Sequence, residues 1–369
     1  MVLNLIFILL LLLPSLFLPL VLLLLPFISF SKNLKHSPHY FYLLLLPISF
    51  LSQLFGGEIN LVELLRVIEI VIFLMFVGCY TINGCVSTKS ISLVLLILII
   101  FGIGDIFKFQ EILYIKQLIW GSELEYTFNY GALDEVGLRE FRLGSIYYNP
   151  NLFSQSLICI SMFLTFHRGH KYFIMLFIFI GVALFLTGSR TGMFIYLLLI
   201  LDFLFNGNKI RYGRFSLRNI VLFLLPIILL IIYLITGFDL DFKSIRVFDI
   251  EEVVSGSGGE KLAATLRYID ALADMNFSWK TWLILFGNGK LDLIRFHIDN
   301  EIGYCFYAFG IYGLLTIFFR VLSLIKFAYR YDCHWTSFIW FSSVGFTQIF
   351  SFRFLLILFI LYSCITVKK

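Results

Sequence analysis

Charge is what this chain has least of. Only 14% of its 369 residues are Asp, Glu, Lys or Arg, while 60% are hydrophobic and the mean hydropathy is +0.96. Soluble domains are about half apolar and a quarter charged, so a soluble globular fold is excluded. Paired cysteines are missing too. Cys79, Cys85, Cys159, Cys305, Cys333 and Cys364 are scattered, mostly inside or at the ends of apolar runs, and no CxxC occurs. That excludes a disulfide framework or a cysteine metal site and leaves packing thiols. Lys261 lacks the GxxxxGK[ST] frame of a phosphate-cradling loop. Short alternating segments are absent, which argues against a β-barrel. The net charge of +5 is no nucleic-acid signal, because it follows from where Lys and Arg flank the apolar runs. Met1–Phe30 has no basic leader and no A-x-A site, so it is expected to remain as a membrane anchor.

What the chain does have is long unbroken runs of Leu, Ile and Phe. In lipid the backbone must satisfy its own hydrogen bonds, so such runs are expected to be helices. The fold class that follows is an all-α polytopic membrane protein, one membrane-embedded domain over residues 1–369 with about 11–12 transmembrane helices. Spans are expected at Phe41–Phe55, Leu61–Tyr80, Ile91–Phe107, Asn151–Phe166, Tyr172–Thr187, Met193–Phe205, Ile220–Thr236, Glu301–Phe319, Trp335–Phe350 and Phe354–Val367. Met1–Phe30, with Pro14, Pro19 and Pro26, is either one kinked span or two short ones. Glu63, Arg66 and Glu69 are spaced by three inside one span, so they can neutralise each other and are expected to face the protein interior.

Two polar intervals stand out: a smaller loop at 108–149 and a large loop at 237–299, the latter closing on Arg-Phe-His-Ile-Asp-Asn at Asn300. If the basic link Asn206–Asn219 is cytoplasmic, every other strongly basic link falls on the same side, and both polar loops fall outside. The orientation leaves Arg139, Arg142, Arg190, Arg267, Arg295 and Arg353 on the outer side, where Arg is depleted near span ends. Guanidinium presents a planar fork of donors suited to carboxylate or phosphate. For each arginine alone the alternative is an ion pair or a side chain reaching to lipid headgroups. Within the large loop, Leu262, Leu266, Ile269 and Ala273 recur at helical spacing. They predict an amphipathic helix lying on the bundle by that face, with Arg267, Asp270 and Asp274 on one flank. Tyr147, Tyr148 and Trp282 suit either sugar stacking or anchoring at the membrane interface. Asp239-Leu-Asp241 has the form of a metal-binding DxD, but a tripeptide arises easily by chance.

Several pieces together resemble the Wzy-type O-antigen polymerase and WaaL-type O-antigen ligase superfamily. They are Arg142-Leu-Gly-Ser with Asn149-Pro-Asn151, Leu184-Phe-Leu-Thr-Gly-Ser-Arg-Thr-Gly192, Arg267 followed by Trp282-Leu-Ile-Leu-Phe-Gly-Asn-Gly289, and His297-Ile-Asp299-Asn300 followed by Gly310-Ile-Tyr-Gly313. The resemblance covers about Arg142–Gly313. It implies a glycosyltransferase of the bacterial inner membrane with its active face in the periplasm. The donor would be an oligosaccharide on undecaprenyl diphosphate. Neither metal nor cofactor would be needed, and a polysaccharide chain-length regulator would be the protein partner to expect. Ligases of the superfamily carry His directly before the Asn matched by Asn300; here Asp299 stands there and His297 lies two earlier, which favours a polymerase. The resemblance makes Asp299 or His297 the general base, Arg190, Arg267 and Arg142 the diphosphate grip, and Ser189 and Asn300 further substrate contacts. Asp299 is equally suited to capping the next helix. The alternatives are the ligase, and, in a different class, a flippase for the same lipid-linked units. The absence of internal repeats and the presence of one dominant outer loop speak against a transporter.

Overall fold

A computed structural model describes residues 2–13, 21, 23–32, 40–57, 59–107, 109–120, 143–147, 150–165, 173–206, 266–273, 275–290, 301–331 and 352–367. The described chain is mostly helical. Its labelled helices are α1 (Val2–Leu12), α2 (Leu45–Phe55), α3 (Leu61–Cys79), α4 (Thr88–Phe107), α5 (Gln110–Trp120), α6 (Pro150–Thr165), α7 (Phe173–Leu186), α8 (Arg190–Asn206), α9 (Phe277–Phe286), α10 (Glu301–Tyr331) and α11 (Phe352–Val367). Residues 266–273 form a further short helix. Two strands, β1 (Phe30–Lys32) and β2 (Tyr80–Ile82), pair antiparallel with Ser31 opposite Thr81. Thr88–Phe107 and Ile302–Phe319 are long and apolar enough to cross a membrane, and Val2–Leu12, Tyr42–Phe55, Ile174–Leu186, Thr191–Asp202 and Leu355–Cys364 are shorter apolar helices.

The expected spans within the described residues coincide with helices, because hydropathy and helix boundaries share one cause. Polar residues that can cap the backbone interrupt apolar runs. Asn60 starts α3, its side chain accepting from the N–H groups of Val62 and Glu63. Gly188, at φ +62°, ends α7. Ser189 then starts α8, its hydroxyl accepting from the Gly192 N–H at 3.3 Å.

The N-terminal residues travel out and back. Asn4 accepts from the Ser87 N–H at 2.9 Å, just ahead of α4. Leu11, at the other end of α1, takes the Tyr147 hydroxyl on its carbonyl. β1 returns to the first end, where it pairs with β2.

At the centre lies α6, buried without a break from Phe153 to Thr165 and packed by α4, α7, α8 and α11. A helix buried on every side is a core helix. Its hydroxyls are absorbed locally where they bond back one turn, as Ser161 does to Ile158 and Thr165 to Met162. On the outside, large apolar side chains face outward along α3, α4 and α7, among them Ile72, Leu96, Ile174 and Ile178. Apolar patches so extensive mark a surface that another apolar phase or partner covers.

Four expectations need correction. The interval 108–149 is not all loop, since α5 lies in it, folded back against α4. Glu63 is buried and bound to Arg66 at 2.7 Å, but Arg66 and Glu69 face outward, so only the first residue of that set faces the interior. The loop helix presents its other face: Leu266 and Ile269 are exposed, while Tyr268 and Leu272 are buried. The rings decide this, because Tyr268 packs edge-on against Tyr307 and Phe306 of α10. An aromatic contact of that size outweighs an aliphatic stripe. Tyr147 is a core residue, stacked on Phe153. Leu262 and Asp274 lie outside the described residues. Cys159, Cys305 and Cys364 are buried and Cys85 is partly buried, as packing thiols should be.

Candidate functional site

Two turns meet at one end of the bundle. The first, residues 143–147, precedes α6; the second, residues 187–189, separates α7 from α8. Their junction is a backbone bond, the Leu143 N–H donating to the Leu186 carbonyl at 2.9 Å. Ser145 holds the first turn in shape. It adopts φ +54° without being glycine, a conformation that costs an L-residue about 1–2 kcal/mol. Its hydroxyl donates to the Leu98 carbonyl at 2.6 Å.

Beneath that turn lies a buried ion pair the sequence reading did not single out. Lys116 of α5 donates to Asp105 of α4 at 2.6 Å, both side chains being about nine-tenths buried. Asp105 also accepts from the backbone N–H groups of Gly144 and Ser145. One carboxylate therefore ties α4, α5 and the turn together. The signal for it was an Asp inside an apolar run with a Lys eleven residues on, a spacing that needs a helical hairpin to close.

A second assembly joins the large loop to the bundle. α10 is broken at Gly310, where φ is 59° and ψ −147°. A continuous helix would commit the carbonyls of Tyr307 and Ala308 to the N–H groups one turn on. Here they accept from Asn288 at 3.1 Å and Gly289 at 2.8 Å. A side chain at Gly310 would sit 2.5 Å from the Ile284 carbonyl oxygen, and one at Gly287 would sit 2.4 Å from the Ala308 carbonyl carbon. The two glycine segments interlock at backbone distance.

The Gly289 carbonyl then receives two donors from α2, Ser49 at 2.6 Å and Gln53 at 2.9 Å. Gln53 also accepts from the Asn60 N–H at 2.8 Å, and Trp282 donates to Ser52 at 2.8 Å. Trp282 is thereby an anchor, wedged against Phe55 and Phe286. Ser49, Ser52 and Gln53 were not singled out from the sequence. Their spacing of three and four, which puts them on one helix face, was the available clue. The short helix 266–273 is docked beside this assembly through Tyr268. Burial pushes that phenol above its usual range, and Tyr307 adds to the effect, so it stays neutral.

Of the residues singled out from the sequence, Arg267 is exposed on helix 266–273, and Ser189 is buried as the cap of α8. Arg190 is the first residue of α8, with its side chain outside the described residues. Arg142, His297, Asp299 and Asn300 lie outside them altogether, although Leu143, the neighbour of Arg142, is bonded to Leu186. The motif segments come together in pairs: 143–145 with 186–190, and 284–289 with 307–310. Packing between the pairs runs from α10 through α2, α3 and α11 to α6. Among the described residues no His, Cys, Asp or Glu cluster could hold a metal ion. No protein-family model, curated protein or solved structure matches this chain.

Proposed function

We propose that the chain is a multi-pass glycosyltransferase of a bacterial inner membrane that polymerises oligosaccharide repeat units carried on undecaprenyl diphosphate. The observation that carries the proposal is the pairing of the separate motif segments: the turn after Arg142 is bonded to the turn before Arg190, and Phe286-Gly-Asn-Gly289 interlocks with the break at Gly310. Segments distant in sequence meet in two pairs, and the resemblance assigns both pairs to one site. The apolar exterior is consistent with a lipid surround. The out-and-back path of the N-terminus favours about twelve spans with that terminus in the cytoplasm. The loops 108–149 and 237–299 then lie in the periplasm.

In the proposed reaction the acceptor sugar hydroxyl attacks the anomeric carbon of the donor glycan. Its proton passes to Asp299 or His297. The bond to the diphosphate oxygen breaks, and the leaving polyprenyl diphosphate keeps the electron pair. Arg190, Arg142 and Arg267 stabilise that growing charge, with the positive end of α8 beside Arg190. One fixed donor of this kind is worth ~3–4 kcal/mol. Ser189 sets the α8 turn, and Asn300 contacts the glycan.

The test is genetic and read on a gel. A deletion strain keeps single repeat units on lipid A-core and loses long chains. Arg190→Ala and Arg267→Ala reproduce that loss with the protein still in the membrane. Long chains retained in both variants would refute the assigned roles. Loss of even single units would point to the ligase instead.

A further inference from the structure

Ile302–Phe319 is long and apolar enough to cross a membrane as one helix, yet the chain folds in the middle of that stretch, at Gly310. The fold is sharp. A side chain at Gly313 would collide with the Cys305 carbonyl, and Ile317 packs against Cys305. In a straight helix those pairs would stand about 12 and 18 Å apart along the axis, at 1.5 Å per residue. Residues 301–309 therefore lie back against the first turns of residues 311–331.

The large loop occupies the break. A straight helix would bond the Tyr307 and Ala308 carbonyls to Ile311 and Tyr312; here Asn288 and Gly289 take those places. Ser49 and Gln53 of α2 hold the Gly289 carbonyl from the other side. The exchange is even, because both carbonyls are bonded whether α10 is folded or straight. Gly310 reaches φ 59° without the strain that a side chain would meet there. Gly310 and Gly313 also weaken the straight form, since each is about fivefold worse than alanine in a helix interior. The backbone alone thus favours neither form by a wide margin, and docking of the loop decides between them.

We propose that α10 is a two-form switch: folded at Gly310 while Gly287–Gly289 is latched to α2, and one continuous helix when that latch opens. Helix 266–273 rides on the switch, because Tyr268 packs on Phe306 and Tyr307 of the folded segment. Closing the latch draws helix 266–273 onto the bundle. Opening it swings residues 301–309 outward, where they add about 13 Å to the helix, and helix 266–273 goes with them. The switch goes beyond the polymerase proposal and holds whichever reaction the large loop serves.

The experiment places nitroxide amino acids at Ile302 and Phe319, both exposed, in the full chain in lipid nanodiscs. Their separation is read from dipolar coupling between the labels. Folded α10 sets the two sites about 10 Å apart, the spacing of packed helices, and straight α10 sets them about 25 Å apart. The short distance is expected to dominate in the otherwise unchanged protein. Gly310→Ala strains the folded form and favours the straight one, so it raises the ratio of long to short distance at least about tenfold. Gln53→Leu acts from α2 without touching α10 and raises the ratio about fivefold. Leu54→Ala, on the exposed side of α2, leaves it unchanged. A dominant distance near the straight-helix value in the unchanged protein would overturn the folded form. The same distribution in Gln53→Leu as in its parent would overturn the coupling to the latch, even if Gly310→Ala proved unstable. Both results are read without any sugar substrate. Failure of the switch therefore leaves the polymerase proposal standing, and long chains retained in Arg190→Ala and Arg267→Ala leave the switch standing.

Discussion

Replacing Lys116 with methionine is expected to be among the most damaging single changes near the turn that precedes α6. Lys116 and Asp105 are 2.6 Å apart and about nine-tenths buried. Taking away one partner of such a pair strands a charge and costs about 3–5 kcal/mol. The loss should not be spread evenly over the variants. Asp105→Asn in the same molecule removes the stranded charge while keeping an acceptor for the Gly144 and Ser145 N–H groups. The double variant Asp105→Asn/Lys116→Met should therefore recover most of what Lys116→Met loses. Replacing Asp105 by leucine in the same background should not recover it. The backbone donors would be left unsatisfied at about 1–3 kcal/mol each. The assay is thermal unfolding in detergent followed by a thiol-reactive dye, since Cys159, Cys305 and Cys364 are buried and become reactive only on opening. If the double variant melts as low as Lys116→Met alone, the pair is not the tie between α4, α5 and the turn that it is argued to be.

Other perturbations test the second assembly. Gly310→Ala places a methyl 2.5 Å from the Ile284 carbonyl at a φ of 59°; with about 1–2 kcal/mol from the backbone alone, it should lower the same melting temperature and loosen α9, seen as faster proteolysis within the large loop. Gln53→Leu leaves the Asn60 N–H without its acceptor and takes one of two donors from the Gly289 carbonyl; a loss of ~1–3 kcal/mol is expected, larger than for Ser49→Ala, and equal melting of the two would count against the latch. Arg267→Lys keeps the charge of an exposed residue but not the planar fork, so it should shorten polysaccharide chains on a gel without changing the melting temperature. Reporter fusions within 237–299 should read as periplasmic, and a cytoplasmic reading would remove the site on which the polymerase proposal depends.

The helices were legible because hydropathy is a property of the linear chain. An apolar run long enough to bury its own backbone forms a helix wherever it lies. Thus α3, α4, α6, α7 and α8 begin and end within a few residues of the expected spans, and Asn60 and Gly188 show why. Pairwise facts were not legible. Nothing in the sequence says that Gln53 meets Gly289, 236 residues on, or that Asp105 is answered by Lys116 across a hairpin. The face of the short helix was misjudged for the same reason: hydrophobic periodicity gives a stripe, but the tyrosines of α10 choose which side of Tyr268 is covered.

The sequence by itself determined that this is a mostly helical, strongly apolar chain whose polar residues gather in two long intervals. Only the tertiary structure decided that α6 is a core helix, that Gly310 breaks α10 to receive the loop backbone, and that the turns beside Arg142 and Arg190 are joined by a backbone bond. The physical reason is that solvation energy sums residue by residue along the chain, while hydrogen bonds and close packing exist only between residues that folding brings within a few ångströms.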